Sequence, residues 1–181
     1  MSVTELWLPI LLTGLATHVI STLAWMILPH HKPEWNRVPV EDELIDLLDG
    51  KQVPANQYMF PMAATPAEMQ GEEFQAKQGR CRGMLILWDR PLNMGQAIGQ
   101  TFAFFMVTAF VIGYLASMGL PHGATFLNVF RFVFVAGLLA YCFAHFPHVF
   151  WFRRRMAMEL LDGLAHTLAA SLIFAALWPG A

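Results

Sequence analysis

Residues 6–28 read LWLPILLTGLATHVISTLAWMIL, a run of 23 residues without Asp, Glu, Lys or Arg. As an α-helix, about 20 such residues cross the hydrocarbon core of a bilayer, because each residue advances about 1.5 Å along the axis. No Lys or Arg precedes this run, and it is longer than the apolar part of a cleaved signal peptide. We therefore expect a helix that is retained in the membrane.

Three more apolar runs follow, and they predict membrane spans at residues 97–120, 127–150 and 160–178. Pro121-His122-Gly123 is a turn signal between the second and third spans, and Arg153-Arg154-Arg155 ends the third. Only 13% of the residues are charged, whereas soluble domains carry about 25%. Runs of this length are too long for barrel strands. The predicted fold class is therefore an all-α membrane protein with four transmembrane helices.

The segment between the first two spans has a different composition. Residues 29–91 hold ten of the thirteen acidic residues. Helical spacing and capping signals predict helices at residues 40–50 and 65–77, and β-rich stretches predict strands at 57–61 and 82–88. We therefore predict three parts: a first helix (1–28), a small α+β insertion (29–91) and helices two to four (92–181).

The positions of the cations predict the orientation in the membrane. Ten of the eleven Lys and Arg residues lie between spans one and two or between spans three and four. Because cytoplasmic loops carry an excess of Lys and Arg, we expect the insertion to be cytoplasmic and both termini to be periplasmic. The net charge of −2 provides no basic field that would attract nucleic acid.

Polar residues within a bilayer are costly and suggest a functional site. His18 lies near the middle of the first span, among small hydroxylated residues. Helix packing explains this pattern, and a role in binding a proton, a metal or haem is the alternative.

A second polar group is predicted at the cytoplasmic ends of three spans. Imidazoles and carboxylates at a common depth suit a divalent metal such as zinc or iron, a proton relay, or ordinary structural ion pairs. Haem b, held between histidines on facing helices, is a further possibility, with His18, His145 and His166 as candidate ligands. The candidate metal ligands are His30, His31, His145, His148, Asp162 and His166.

Several short motifs resemble a family of uncharacterised bacterial four-helix inner-membrane proteins. These motifs are His31-Lys32-Pro33-Glu34-Trp35, the segment PANQYMFP at residues 54–61, and Leu177-Trp178-Pro179 near the end. The resemblance covers the whole length and implies a bacterial inner membrane and four helices. The family has no established activity, so it implies no ligand or catalytic residue.

The sequence leaves three functions open. The first is a non-enzymatic accessory or scaffolding subunit that contacts the lipid bilayer and other membrane subunits, or forms a homo-oligomer. The second is a metal- or haem-binding membrane protein. The third is a small proton-coupled transporter, which is disfavoured because four helices without a visible inverted repeat enclose little pathway. No P-loop, GxSxG, HExxH or GxGxxG motif indicates an enzyme.

Overall fold

The computed structural model describes residues 1–180 and is mostly helical, with 69% of residues in helices. Four helices are long and apolar enough to cross a membrane, as judged by their length and composition. The prediction of four such helices is confirmed. Their bounds are Val3–Ile27, Met94–Gly119, Phe126–Phe152 and Ala157–Ala176.

The first span changes its helical form along its length. A turn of 3-10 helix at Val3–Leu6 begins behind a Ser2 capping box, and α1 follows at Trp7–Thr22. The span ends in a turn of π-helix at Leu23–Ile27. Such wider turns often occur at functional sites, and this one directly precedes the histidines of the candidate site.

The third span is interrupted, although residues 127–150 were predicted as one unbroken helix. It comprises α6 (Phe126–Tyr141), a 3-10 turn at Phe143–His145 and α7 (Phe146–Phe152). Pro147 has no N–H to donate to the carbonyl of the preceding turn, and its ring would clash there. An α-helix therefore cannot continue through it, and Pro147 instead lies in the first turn of α7.

The remaining two spans are continuous helices, α5 at Met94–Gly119 and α8 at Ala157–Ala176. The last span packs along both α6 and α1, and α1 also packs along α5. Small residues permit the contact between α6 and α8, because a Cβ added to Gly163 would lie 2.5 Å from the carbonyl oxygen of Tyr141. Fully buried side chains such as Phe174 and Val133 fill the interior.

Residues Arg37–Leu92 form a separate compact unit. The two strands, β1 (Gln57–Phe60) and β2 (Gly83–Ile86), pair antiparallel with Gln57 opposite Ile86. The predicted combination of helices with a small sheet is confirmed. The prediction of a single helix at 65–77 is wrong in one respect. Gly71 has an extended backbone and divides this helix into two. The helices of this unit are α2 (Glu41–Gly50), α3 (Pro66–Gln70) and α4 (Glu72–Arg80).

Candidate metal centre

Two consecutive histidines and a distant aspartate form a compact cluster where α1 ends and α8 begins. The Nε2 atom of His30 lies 2.9 Å from Oδ1 of Asp162, and Nε2 of His31 lies 2.8 Å from Oδ2 of the same carboxylate. One potential ligand atom from each residue lies within 4.8 Å of the other two. His31 and Asp162 are buried and His30 is half-buried. The cluster therefore offers two imidazole nitrogens and a carboxylate within a space that a single ion can share.

Local structure explains how both histidines turn toward α8. After the π turn, Leu28 has an extended backbone, and a turn between Pro29 and Lys32 redirects the chain. The indole of Trp25, which belongs to the π turn, stacks on the His31 imidazole with ring centres 3.8 Å apart and an angle of 13°. This stacking supports the His31 ring on one face and limits its rotation. Its Nε2 atom is therefore held toward Asp162.

Glu34 holds the other side of the His31 ring. One of its carboxylate oxygens lies 2.7 Å from Nδ1 of His31. Its second oxygen accepts a hydrogen bond from the backbone N–H of Met158, at 3.3 Å, near the start of α8. The guanidinium of Arg155 also donates to the carbonyl of Pro33. The segment after α1 is thus attached to the beginning of α8 by contacts that are independent of Asp162.

The two carboxylates determine the charge of His31. Burial alone would lower the pKa of its imidazole. The hydrogen bonds to Glu34 and Asp162, together with the negative charges of these groups, outweigh burial and raise the pKa above its usual value. Without a metal, the protonated imidazolium of His31 can donate to both carboxylates. A divalent cation would provide the same charge compensation in place of protons.

His145 and His148 were predicted to belong to the same group, and the structure does not bring them to it. Nδ1 of His145 lies 3.5 Å from a carboxylate oxygen of Glu159, which also pairs with Arg154 at 3.1 Å. His148 is exposed and lies against the ring of Phe152. Neither histidine belongs to the cluster formed by His30, His31 and Asp162 among the described residues.

His166 and His18, the other predicted ligands, lie deeper in the bundle. His166 follows Asp162 by one helical turn and packs edge-on against Phe105, with ring centres 4.9 Å apart. Tyr141 lies beside it at 5.5 Å. The ring of His18 also faces Phe105, at 6.3 Å. The buried Phe105 ring therefore adjoins both imidazoles, whereas His145, the third predicted haem ligand, lies against Glu159.

Sequence reasoning found the three cluster residues and missed the groups that orient them. Neither Glu34 nor Trp25 was predicted as a partner of His31. The spacing of His31 and Glu34 contained a usable signal, because residues three apart face each other across one helical turn. Their contact is made across the 3-10 turn at Lys32–Glu34.

Comparison of the chain with protein-family models, with curated proteins and with solved structures found no match.

Proposed function

We propose that this chain is an integral membrane protein that binds one divalent transition-metal ion through His30, His31 and Asp162. The observation that supports the proposal is the meeting of their three ligand atoms within 4.8 Å of one another. Four apolar helices suggest a multi-pass membrane protein. The cluster lies where the first and the last of these helices end and begin.

The donor set favours zinc or ferrous iron. Two histidines with one carboxylate hold zinc in several hydrolases and non-haem iron in oxygenases, in each case with at least one further coordination position open. Metal-binding histidines usually donate their second ring N–H to a carboxylate, which fixes the tautomer and the ring orientation. Glu34 has this relation to His31. The same cluster without a metal would be a set of buried ion pairs joining two helices, and this is the structural alternative.

Metal content separates the two roles. We expect the wild-type protein, purified in mild detergent and loaded with zinc or cobalt, to retain one ion per chain by elemental mass spectrometry. Asp162→Asn preserves the shape of the side chain and removes its charge. It should raise the dissociation constant for the metal by at least about tenfold. His148→Ala is the matched control, because His148 is exposed and lies outside the cluster.

The outcomes are distinct. A wild-type protein that retains no stoichiometric ion would contradict the proposal, as would a His148→Ala variant that loses the ion as completely as Asp162→Asn. Folding of each variant is checked by circular dichroism and gel filtration. A Soret band in the visible spectrum would instead favour haem.

We further propose that the protein resides in a bacterial inner membrane, with the insertion and the metal cluster on the cytoplasmic side and both termini in the periplasm. The support is the distribution of Lys and Arg between the loops.

An accessory role in a larger complex is compatible with metal binding. One observation favours it: a Cβ added to Gly99, in the GxxxG spacing that begins α5, would have no neighbour within 4 Å. Such small-residue faces are typical contacts for another helix.

A further inference from the structure

A groove between α1 and α8 extends from the metal cluster along the bundle. Its volume is about 530 Å³, within the range of about 300–1,000 Å³ that small-molecule sites occupy. Nearly all of its lining side chains are apolar, and most belong to the two helices that we propose to span the membrane. The lining includes His30, Asp162, Leu164, Ala165 and Leu168.

The polar end of this groove consists of two of the three proposed metal ligands. His30 and Asp162 both line it, whereas His31 does not. The side chain of His30 is 21% exposed and that of Asp162 is 12% exposed, compared with 6% for His31. His31 is covered by Trp25 on one ring face and by Glu34 at Nδ1. The accessible side of the cluster is therefore the side that faces the groove.

This arrangement determines what can reach the metal. Three protein ligands leave a coordination position for water or substrate. A position that opens into an apolar groove at membrane depth is approached through lipid, where polar solutes are scarce and amphiphiles are concentrated. The groove volume of about 530 Å³ suits one chain-bearing small molecule.

We infer that the groove binds a lipid-soluble molecule with an oxygen-donor headgroup and an apolar tail. The headgroup coordinates the metal between His30 and Asp162, and the tail lies along Leu164 and Leu168. This inference rests on the proposed metal site. It adds the chemical class of the ligand and its route of access, neither of which the metal site alone requires.

The test uses cobalt as the metal, because the visible spectrum of Co²⁺ changes when its coordination changes. The protein is reconstituted in phosphatidylcholine nanodiscs and titrated with two probes that share a metal-binding headgroup, dodecanohydroxamic acid and acetohydroxamic acid. Ala165→Phe fills the groove. Ala169→Phe is its matched control, since Ala169 lies one turn further along α8 and does not line the groove.

We expect the long-chain probe to alter the cobalt spectrum of the wild type and of Ala169→Phe. With Ala165→Phe, the same spectral change should need at least about tenfold more of this probe. The cobalt content and the response to acetohydroxamic acid should be the same in all three proteins. Equal responses of the three proteins to the long-chain probe would overturn the groove assignment, as would a wild type that responds only to the short probe. A photoreactive residue placed at Leu164 that cross-links to another protein, rather than to the amphiphile, would assign the groove to a partner helix and also overturn it.

Failure of the metal site itself is recognised earlier in the same experiment. A wild-type protein that does not take up cobalt contradicts both proposals before any probe is added. Normal cobalt uptake with an unchanged long-chain response in Ala165→Phe contradicts only the groove.

Discussion

The Nδ1 atom of His31 lies 2.7 Å from a carboxylate oxygen of Glu34, which leaves Nε2 of the same ring for the shared site. We expect Glu34→Gln to weaken metal binding by about 10- to 100-fold, because the neutral amide no longer orients and polarises the imidazole as a carboxylate does. Isothermal titration calorimetry with zinc measures this change. Glu41→Gln is the control, since Glu41 pairs with Arg37 in an exposed position. Equal affinities of the two variants would contradict the orienting role of Glu34.

The raised pKa of His31 predicts how the stability of the metal-free protein varies with pH. In the folded state the pKa of His31 lies above its usual value, which is about 6.5 in the unfolded chain. The stabilisation from its protonated form is therefore fully present below about pH 6.5 and is lost as the pH rises through the folded-state pKa. We expect the thermal midpoint of the wild type to fall relative to that of His31→Gln as the pH rises above about 6.5, measured in the presence of a chelator. If the thermal midpoints of the two proteins changed with pH in the same way, protonation of His31 would not contribute to stability.

Metal affinity should depend on pH in the opposite direction. A metal binds the deprotonated imidazole, so it must displace a proton from His31, and its affinity should increase as the pH rises. The gain should approach about tenfold per pH unit while His31 remains protonated. Zinc dissociation constants determined at several pH values test this expectation. A zinc affinity that stays constant as the pH rises from about 5.5 to about 6.5, where His31 with its raised pKa is still protonated, would mean that no proton is displaced from His31.

The close contact of α6 with α8 predicts a large effect of one added methyl group. In Gly163→Ala the new Cβ would lie 2.5 Å from the backbone oxygen of Tyr141 and 2.9 Å from Sγ of Cys142, so the helices must separate. We expect destabilisation of about 1–3 kcal/mol, as for other overpacked interiors. Gly99→Ala is the control, since its Cβ meets no neighbour within 4 Å, and replacing a helical glycine there should be neutral or stabilising by up to about 1 kcal/mol. Thermal unfolding in detergent compares them, and equal midpoints would contradict the contact.

Reporter fusions test the proposed orientation. A periplasmically active phosphatase fused after the last residue should be active, and a fluorescent protein inserted at Gln52, in the exposed turn after α2, should fluoresce. If the carboxy-terminal phosphatase were active only after the cells are lysed, the orientation would be the opposite of the one proposed. It would also place the metal cluster on the periplasmic side.

The four spans were predictable because each is a run of about twenty or more residues with almost no charged side chains, and such a run gives a strong hydropathy signal. Each observed span begins and ends within a few residues of its predicted bounds. Local breaks were harder to predict. Gly71 divides α3 from α4 through an extended backbone, and Pro147 limits α7, yet in the sequence both lie in runs that otherwise favour helix.

The sequence predicted the end of the bundle at which the candidate site lies. It did not predict which side of each helix the site residues occupy. The topology placed His30, His31, His145, His148 and Asp162 at the same end of the bundle, and only three of these meet. Whether two side chains meet depends on the rotation of each helix about its axis. That rotation is determined by packing, including the close approach at Gly163 and the π turn after α1. A single sequence contains little information about either.

His31 and Asp162 are 131 positions apart in the chain, and this separation has a consequence for biosynthesis. The two histidines emerge from the ribosome well before their aspartate partner, which follows with the fourth apolar segment. A nascent polypeptide that stalls before that segment lacks one of the three donors, and on the proposed chemistry it cannot retain the ion. Loading of the ion would then mark molecules in which the fourth apolar helix has been synthesised and has packed beside the end of the first.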